Sequence, residues 1–184
     1  MAPGTVEERR EEQTETVPKK LPKGVVLGPD GKPCRSCTSV ASWFAMAKKS
    51  PSDATTTSAT TTTPTPTYPS DCPPDVEQLG RSSWTLLHSI TAQYPESPSP
   101  QLQSETKTFM HTFSKLYPCW HCATDFQTWM KKDGNAPRVS SREEFGRWMC
   151  EAHNAVNVKI GKKEFDCTKW EERWRTGWKD GRCG

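Results

Sequence analysis

The sequence predicts an all-α protein: a helical bundle of four helices plus a short fifth, behind an N-terminal arm that is disordered. Two observations predict the bundle. After residue 72, apolar residues recur at helical spacing in successive segments, and no segment alternates apolar and polar residues as a half-buried strand does. A third predicts the arm. Only 32% of the 184 residues are apolar and 16 are proline, so the compact part must be smaller than the chain. The division falls at 1–71 and 72–184.

In the arm, the first 23 residues are charged and aperiodic, and 51–70 form a Thr/Pro-rich low-complexity linker. Between them Cys34-Arg35-Ser36-Cys37 follows a Pro-Asp-Gly-Lys-Pro turn. Val40, Trp43, Phe44 and Met46 come next and suit a short apolar helix. The roughly 34 residues from Thr38 to Asp71 give this dithiol an r.m.s. reach of about 30–35 Å. It would meet a site in the folded domain at an effective concentration on the order of millimolar.

The domain starts near Pro73-Pro74, with Asp75 as N-cap and Val76, Leu79, Ser83, Leu86, Leu87 and Ile90 on one helical face up to the break at Tyr94-Pro95. A second helix spans about 101–116, with Leu102, Phe109, Phe113 and Leu116 as its stripe, and Pro118 stops it. The third starts at Cys119-Trp120-His121-Cys122 and runs through Phe126, Trp129 and Met130 to Asp133-Gly134. A fourth starts after Ser140 or Ser141, where Ser141 and Glu144 have capping-box spacing, and runs to about 160. Its core stripe is Phe145, Met149, Ala152 and Val156. Cys150, His153, Asn154 and Asn157 form a separate polar face. Such a face is ordinarily solvated, but this one carries no Lys or Glu, and short hydrogen-bonding groups suit the lining of a cofactor site. A last short helix, about 167–178, presents Trp170, Trp174 and Trp178 at i, i+4 and i+8.

Residues 117–122, Tyr-Pro-Cys-Trp-His-Cys, carry the chemistry. Two cysteines at this spacing suit thiol–disulfide exchange, and the first is usually the more exposed and the lower in pKa. A helix start and the neighbouring His121 both favour the thiolate. Taken alone, the hexapeptide is equally compatible with half of a structural zinc site or an inert local disulfide. The net charge of +3, with basic and acidic residues interleaved, argues against nucleic acid as a partner. Eight cysteines fit an oxidising compartment better than a reducing cytosol. No run is apolar and long enough to span a membrane, and the acidic start has no signal-peptide core.

Four stretches together carry a family resemblance: residues 80–88 (Gly-Arg-Ser-Ser-Trp-Thr-Leu-Leu-His), 117–122, 150–157 (Cys-Glu-Ala-His-Asn-Ala-Val-Asn), and Phe165-Asp166-Cys167 with Arg173-Trp174. In this order they resemble the FAD-linked sulfhydryl oxidases of the Erv and augmenter-of-liver-regeneration family over about 72–184. Lys-Pro-Cys-Arg-Ser-Cys at 32–37 is similar to the shuttle motif of the long mitochondrial members.

The resemblance implies a helical bundle holding FAD against the core dithiol and a thiol oxidase that makes disulfides in partner proteins. Cys34 and Cys37 would take electrons from a protein dithiol, Cys119 would be the interchange cysteine, and Cys122 the flavin-proximal one. Electrons would leave to oxygen or cytochrome c. The cofactor's walls would be Gly80, Arg81, Trp84 and His88, then Cys150, His153, Asn154, Val156 and Asn157, with Lys162, Phe165 and Trp174 nearer its adenine end. Trp84 fits a plain core role equally well. The resemblance further implies a structural Cys150–Cys167 disulfide, no metal, and a place in the mitochondrial intermembrane space as part of its disulfide relay. The competing reading is a zinc-stabilised helical interaction module, against which stands the long separation of the two Cys-x-x-Cys pairs. Cys72 and Cys183 are left over. They could close a ring within one chain, staple a homodimer as the chain ends of animal-type members do, or leave Cys183 a free thiol.

Overall fold

The computed structural model describes residues 21, 23–47 and 72–183. Among the described residues five α-helices follow one another: α1 (Val40–Ala47) in the arm, then α2 (Val76–Gln93), α3 (Pro100–Leu116), α4 (Trp120–Met130) and α5 (Arg142–Lys159). A 3-10 turn, Arg35–Cys37, precedes α1, and a 3-10 turn Cys167–Lys169 and a π-helical turn Glu172–Thr176 follow α5. Among the described residues no strand forms; Leu27 and Pro33 make one isolated bridge across the Pro-Asp-Gly-Lys-Pro turn. The linker at 51–70 and most of the first 23 residues lie outside the described residues.

Caps set the helix starts. The Asp75 carboxylate accepts from Gln78 N at 2.8 Å, Ser99 Oγ from Leu102 N at 3.2 Å with Pro100 at the first helical position, and Ser141 Oγ from Glu144 N at 3.1 Å. The α2 and α5 helices pack together, as do α3 and α4. Leu87, Met110, Met130, Phe145, Trp148 and Met149 fill the space between them. Each such side chain contributes about 1.5–3 kcal/mol by leaving water. The polar atoms that enter this core are satisfied: Trp148 Nε1–H donates to Asn135 O at 3.0 Å and Tyr94 O–H to Val139 O at 3.1 Å.

Two helices leave part of their apolar stripe outside the core, although Leu87 lies in it and Ile90, Leu102 and Phe113 pack against it. In α3 the buried residues are Thr106, Met110 and Ser114, while Phe109 and Leu116 of the expected stripe are 40% and 76% exposed. In α2, Leu86 is 58% exposed. These apolar side chains lie on the outer surface of α2 and α3, where Leu79, Phe109, Phe113 and Leu116 line a shallow hollow. The expected last helix is also shorter than 167–178. It is broken into the 3-10 and π-helical turns, which lets Trp170 go inward to 2% exposure while Trp174 faces a cavity.

Trp170 shows what holds this segment down. Its ring lies over Gly146 of α5, where an added Cβ would come within 2.6 Å of three ring carbons, and its Nε1–H donates to Glu143 at 3.1 Å. The Cys150–Cys167 disulfide ties the same segment to α5, as the family resemblance implies. Its chain-entropy contribution is about 3 kcal/mol. Gly146→Ala should therefore lower unfolding free energy by about 1–3 kcal/mol, the usual cost of overpacking a rigid neighbour. Urea denaturation measures this directly, and an unchanged midpoint would show that Trp170 moves aside freely.

Candidate active site

The arm docks on the domain, and a single carboxylate ties them. One oxygen of Asp75 caps α2, while the other accepts from Val40 N, the first residue of α1, at 2.8 Å. Trp120 Nε1–H donates to Leu27 O at 2.8 Å, and Thr38, fully buried, accepts from Val26 N at 3.1 Å through its hydroxyl. These bonds lay the arm dithiol over the core dithiol. Cys34 is bonded to Cys37 and Cys119 to Cys122. Cys37 Sγ, Cys119 Sγ and a His121 ring nitrogen all lie within 4.8 Å of one another.

Exposure differs from the expected pattern. Cys119, the first cysteine of its pair, has no exposed surface, whereas Cys122 is half-buried. The reason is the arm, whose Cys37 covers Cys119 and is itself 4% exposed, leaving half-buried Cys34 nearer solvent. His121 touches both core sulfurs, with Nδ1 3.5 Å from Cys119 Sγ and Nε2 3.6 Å from Cys122 Sγ. Cys119 is the N-cap of α4 and Cys122 lies in its first turn, so the partial positive charge of the helix start favours either thiolate.

Cys122, and not Cys119, opens onto a cavity of about 940 Å³ between α2, α5 and the C-terminal segment. Every residue expected from the sequence to wall a cofactor lines it: Gly80, Arg81, Trp84 and His88 from α2, Cys150, His153, Asn154, Val156 and Asn157 from α5, and Lys162, Phe165 and Trp174 beyond. Trp84 is half-buried and stacks on His153 at 4.1 Å; it both lines the cavity and packs against the core cluster. His88 stacks on Trp174 at 4.3 Å, and a 3.0 Å hydrogen bond between His88 Nε2 and His153 Nδ1 joins the two stacks. Asn154 acts on the wall itself. Its amide donates to Phe165 O and accepts from Phe165 N, both at 2.8 Å, which folds residue 165 back along α5.

The sequence did not mark Tyr117, Ser83, Phe126 or Arg173 as cofactor-wall residues, yet all four line the cavity. Burial pushes the Tyr117 phenol up, partly offset by a hydrogen bond with Ser83. The signal for Tyr117 was its place in the Tyr-Pro-Cys motif. For Arg173 it was the adjacent Trp174, over whose ring the guanidinium sits at 4.3 Å.

Both histidines are neutral near pH 7. Burial, then His153 and Arg173, hold His88 down at about 3; burial, then Lys162 and Arg173, hold His153 at about 4. The unfolded chain takes up protons on these rings below about pH 6.5 and the folded one does not, so stability is lost as pH falls from 7 toward 4. A ring buried like His88 should remove about 2 kcal/mol between pH 7 and pH 5. Urea midpoints at the two values check this, and His88→Asn should remove much of the difference.

The cavity suits a flat aromatic ligand with an anionic part. Its volume falls in the range of about 300–1,000 Å³ typical of small-molecule pockets. Arg81, Lys162 and Arg173 supply positive charge, and the stacked Trp and His rings supply planar faces. Two details indicate room left for a ligand. The buried His88 Nδ1 has no hydrogen-bond partner among the described residues, and a Cβ on Gly80 would meet nothing within 4 Å. FAD, with its fused rings and diphosphate, fits these residues.

Residues 81–175 match the Erv1 / Alr family. The chain belongs to this family. It is 45% identical over 169 residues to the mitochondrial FAD-linked sulfhydryl oxidase ERV1 of Saccharomyces cerevisiae, a match covering 84% of this chain and 88% of the relative. That share exceeds what 72–184 can supply, so the likeness takes in the arm. Among solved structures, the yeast Erv1 core superimposes with a TM-score of 0.57 at 57% identity, over 61% of this chain and 94% of the other. The FAD binding domain of Erv1 from Saccharomyces cerevisiae gives 0.53 at 57% identity, over 56% and 96%. Within the Erv1 / Alr match lie the core dithiol, the Cys150–Cys167 bond and almost the whole cavity wall; the arm dithiol lies outside it. The zinc-module alternative is not favoured. Both Cys-x-x-Cys pairs are closed as disulfides, Cys34–Cys37 and Cys119–Cys122, so neither offers thiolates to a structural ion.

Proposed function

We propose that this chain is an FAD-dependent thiol oxidase that makes disulfides in partner proteins, passing electrons from the arm dithiol to the core dithiol and into the cavity. The observation that carries it is the line of sulfurs from half-buried Cys34 through Cys37 and Cys119 to cavity-lining Cys122. A substrate thiolate attacks Cys34 and displaces Cys37; the second substrate thiol resolves that mixed disulfide, leaving the substrate oxidised and the arm pair reduced. Cys37 thiolate then attacks Cys119, the Cys119–Cys122 bond breaks, and Cys122 leaves as thiolate against the cavity. Cys34 resolves the Cys37–Cys119 bond. Two electrons and two protons have moved inward.

His121, in contact with both core sulfurs, can take the proton from an attacking thiol and stabilise the thiolate that leaves. FAD bound there would supply a two-electron acceptor, with oxygen or cytochrome c as the final oxidant. Gly80, Arg81, Trp84, His88, His153 and Asn157 would hold it, with Lys162, Phe165 and Trp174 toward its adenine, and the Trp84 and Trp174 stacks would fix its planes. The visible spectrum tests this reading. A yellow protein whose flavin bands bleach on anaerobic dithiothreitol is expected, and a colourless one would overturn it.

The protein's place is mitochondrial, as in the yeast relative's name, and within that organelle the intermembrane space, where protein dithiols of a disulfide relay are the substrates. Its assembly is a two-fold homodimer. Exposed apolar Leu86, Phe109 and Leu116 on α2 and α3 support this, as do exposed and unpaired Cys72 and Cys183, which would bond reciprocally between subunits. Non-reducing denaturing gels should show twice the chain mass, collapsing to monomer with reductant and equally in Cys72→Ser or Cys183→Ser. A monomer with both thiols blocked would support a ring within one chain instead.

A further inference from the structure

The cluster of Cys37, Cys119 and His121 has a second chemistry. In the oxidised protein each sulfur is bonded to its own Cys-x-x-Cys partner, and such a sulfur is a poor metal ligand, since the thiolate is the ligand. Turnover changes that. Each disulfide takes two electrons and two protons from a substrate dithiol, which becomes a disulfide, and two bonds become four thiols. We propose that the fully reduced enzyme presents a zinc site at the junction of arm and core, formed by Cys37 and Cys119 thiolates and the His121 imidazole. Zinc bound there clamps the arm to the domain and halts exchange.

The geometry carries this. The three donor atoms lie within 4.8 Å of one another, with the sulfurs buried and the imidazole half-buried. Tetrahedral zinc, with Zn–S near 2.3 Å and Zn–N near 2.0–2.1 Å, sets ligand atoms about 3.5–3.8 Å apart. Cys119 Sγ already stands at this spacing from the His121 ring nitrogens, 3.5 and 3.7 Å, and reduction of the two disulfides frees the Cys37 and Cys119 sulfurs to close the remainder. Cys122 Sγ, 3.6 Å from His121 Nε2, can supply a fourth donor. Each thiol that binds zinc gives up its proton to solvent. Soft thiolates with one imidazole favour zinc over calcium or magnesium. The ligands come from both pairs, which are far apart in sequence but which the Asp75 and Trp120 contacts bring together.

The inference rests on the reading of the arm as the exchange partner of the core, and its test keeps the two apart. The full-length holoenzyme is reduced anaerobically with a phosphine, then titrated with Zn²⁺ against a chromophoric chelator and with Co²⁺ by absorption; flavin content reports folding. The expected result is one tight zinc per chain in the reduced form and none in the oxidised form, with tetrahedral cobalt bands. Cys37→Ser and His121→Asn should each weaken binding by about tenfold or more, since loss even of an outer-shell partner costs that much. Zinc should also stop reoxidation of the reduced enzyme, reversed by chelator. Binding that is equal in the oxidised form, or unaffected by both substitutions, overturns the site, as does zinc held separately on each Cys-x-x-Cys pair. Normal zinc-free turnover with no tight zinc defeats this inference alone, whereas absent turnover in the metal-free enzyme defeats the oxidase reading.

Discussion

Cys122→Ser should stop turnover with every thiol, small or protein, by about three orders of magnitude or more, the scale of losing a covalent participant. The core disulfide cannot form, and Cys122 is the core sulfur that lines the cavity. The walls on α2 and α5 are untouched, so the variant should still be yellow, with its flavin no longer bleached by dithiothreitol. Stopped-flow absorbance under nitrogen checks both halves. Residual bleaching at the native rate would mean that electrons reach the flavin by a route that bypasses Cys122.

The second large effect separates substrates. Cys34→Ser with Cys37→Ser should reduce oxidation of a folded partner protein by about a hundredfold, the scale on which losing a tethered site lowers effective concentration. Turnover of dithiothreitol should stay within a few-fold. Cys119 has no exposed surface, and Cys37 of the arm lies against it. A small dithiol reaches it once the arm lifts, whereas a folded protein must approach through Cys34. Oxygen uptake with the two substrates gives the ratio, and equal loss with both would show that the arm is not a shuttle.

Much of the site was legible because it is built from local spacing. Cys150, His153, Asn154 and Asn157 fall on one face of α5 by helical periodicity alone, and the structure puts that face on the cavity. Asp75 and Ser141 were legible as caps for the same reason. What could not be read depends on contacts between distant segments. Nothing near Asp75 in the sequence announces that its second oxygen caps α1, 35 residues upstream, and so nothing announces that Cys119 is buried. The α3 stripe shows the converse: Leu102 and Phe113 pack against the core, but periodicity does not say that Phe109 and Leu116 stay outside it while Met110 is buried.

The relay itself is tested most directly by trapping its inner step. In Cys34→Ser combined with Cys122→Ser, each resolving thiol is gone, and Cys37 and Cys119 are left as the reactive pair within 4.8 Å. Mild air oxidation followed by non-reducing peptide mapping should recover a single linkage, Cys37 to Cys119, removed by reductant and absent when Cys37→Ser is added. Free thiols at both positions, or Cys119 bonded to some other cysteine, would contradict the passage of electrons from arm to core through this pair.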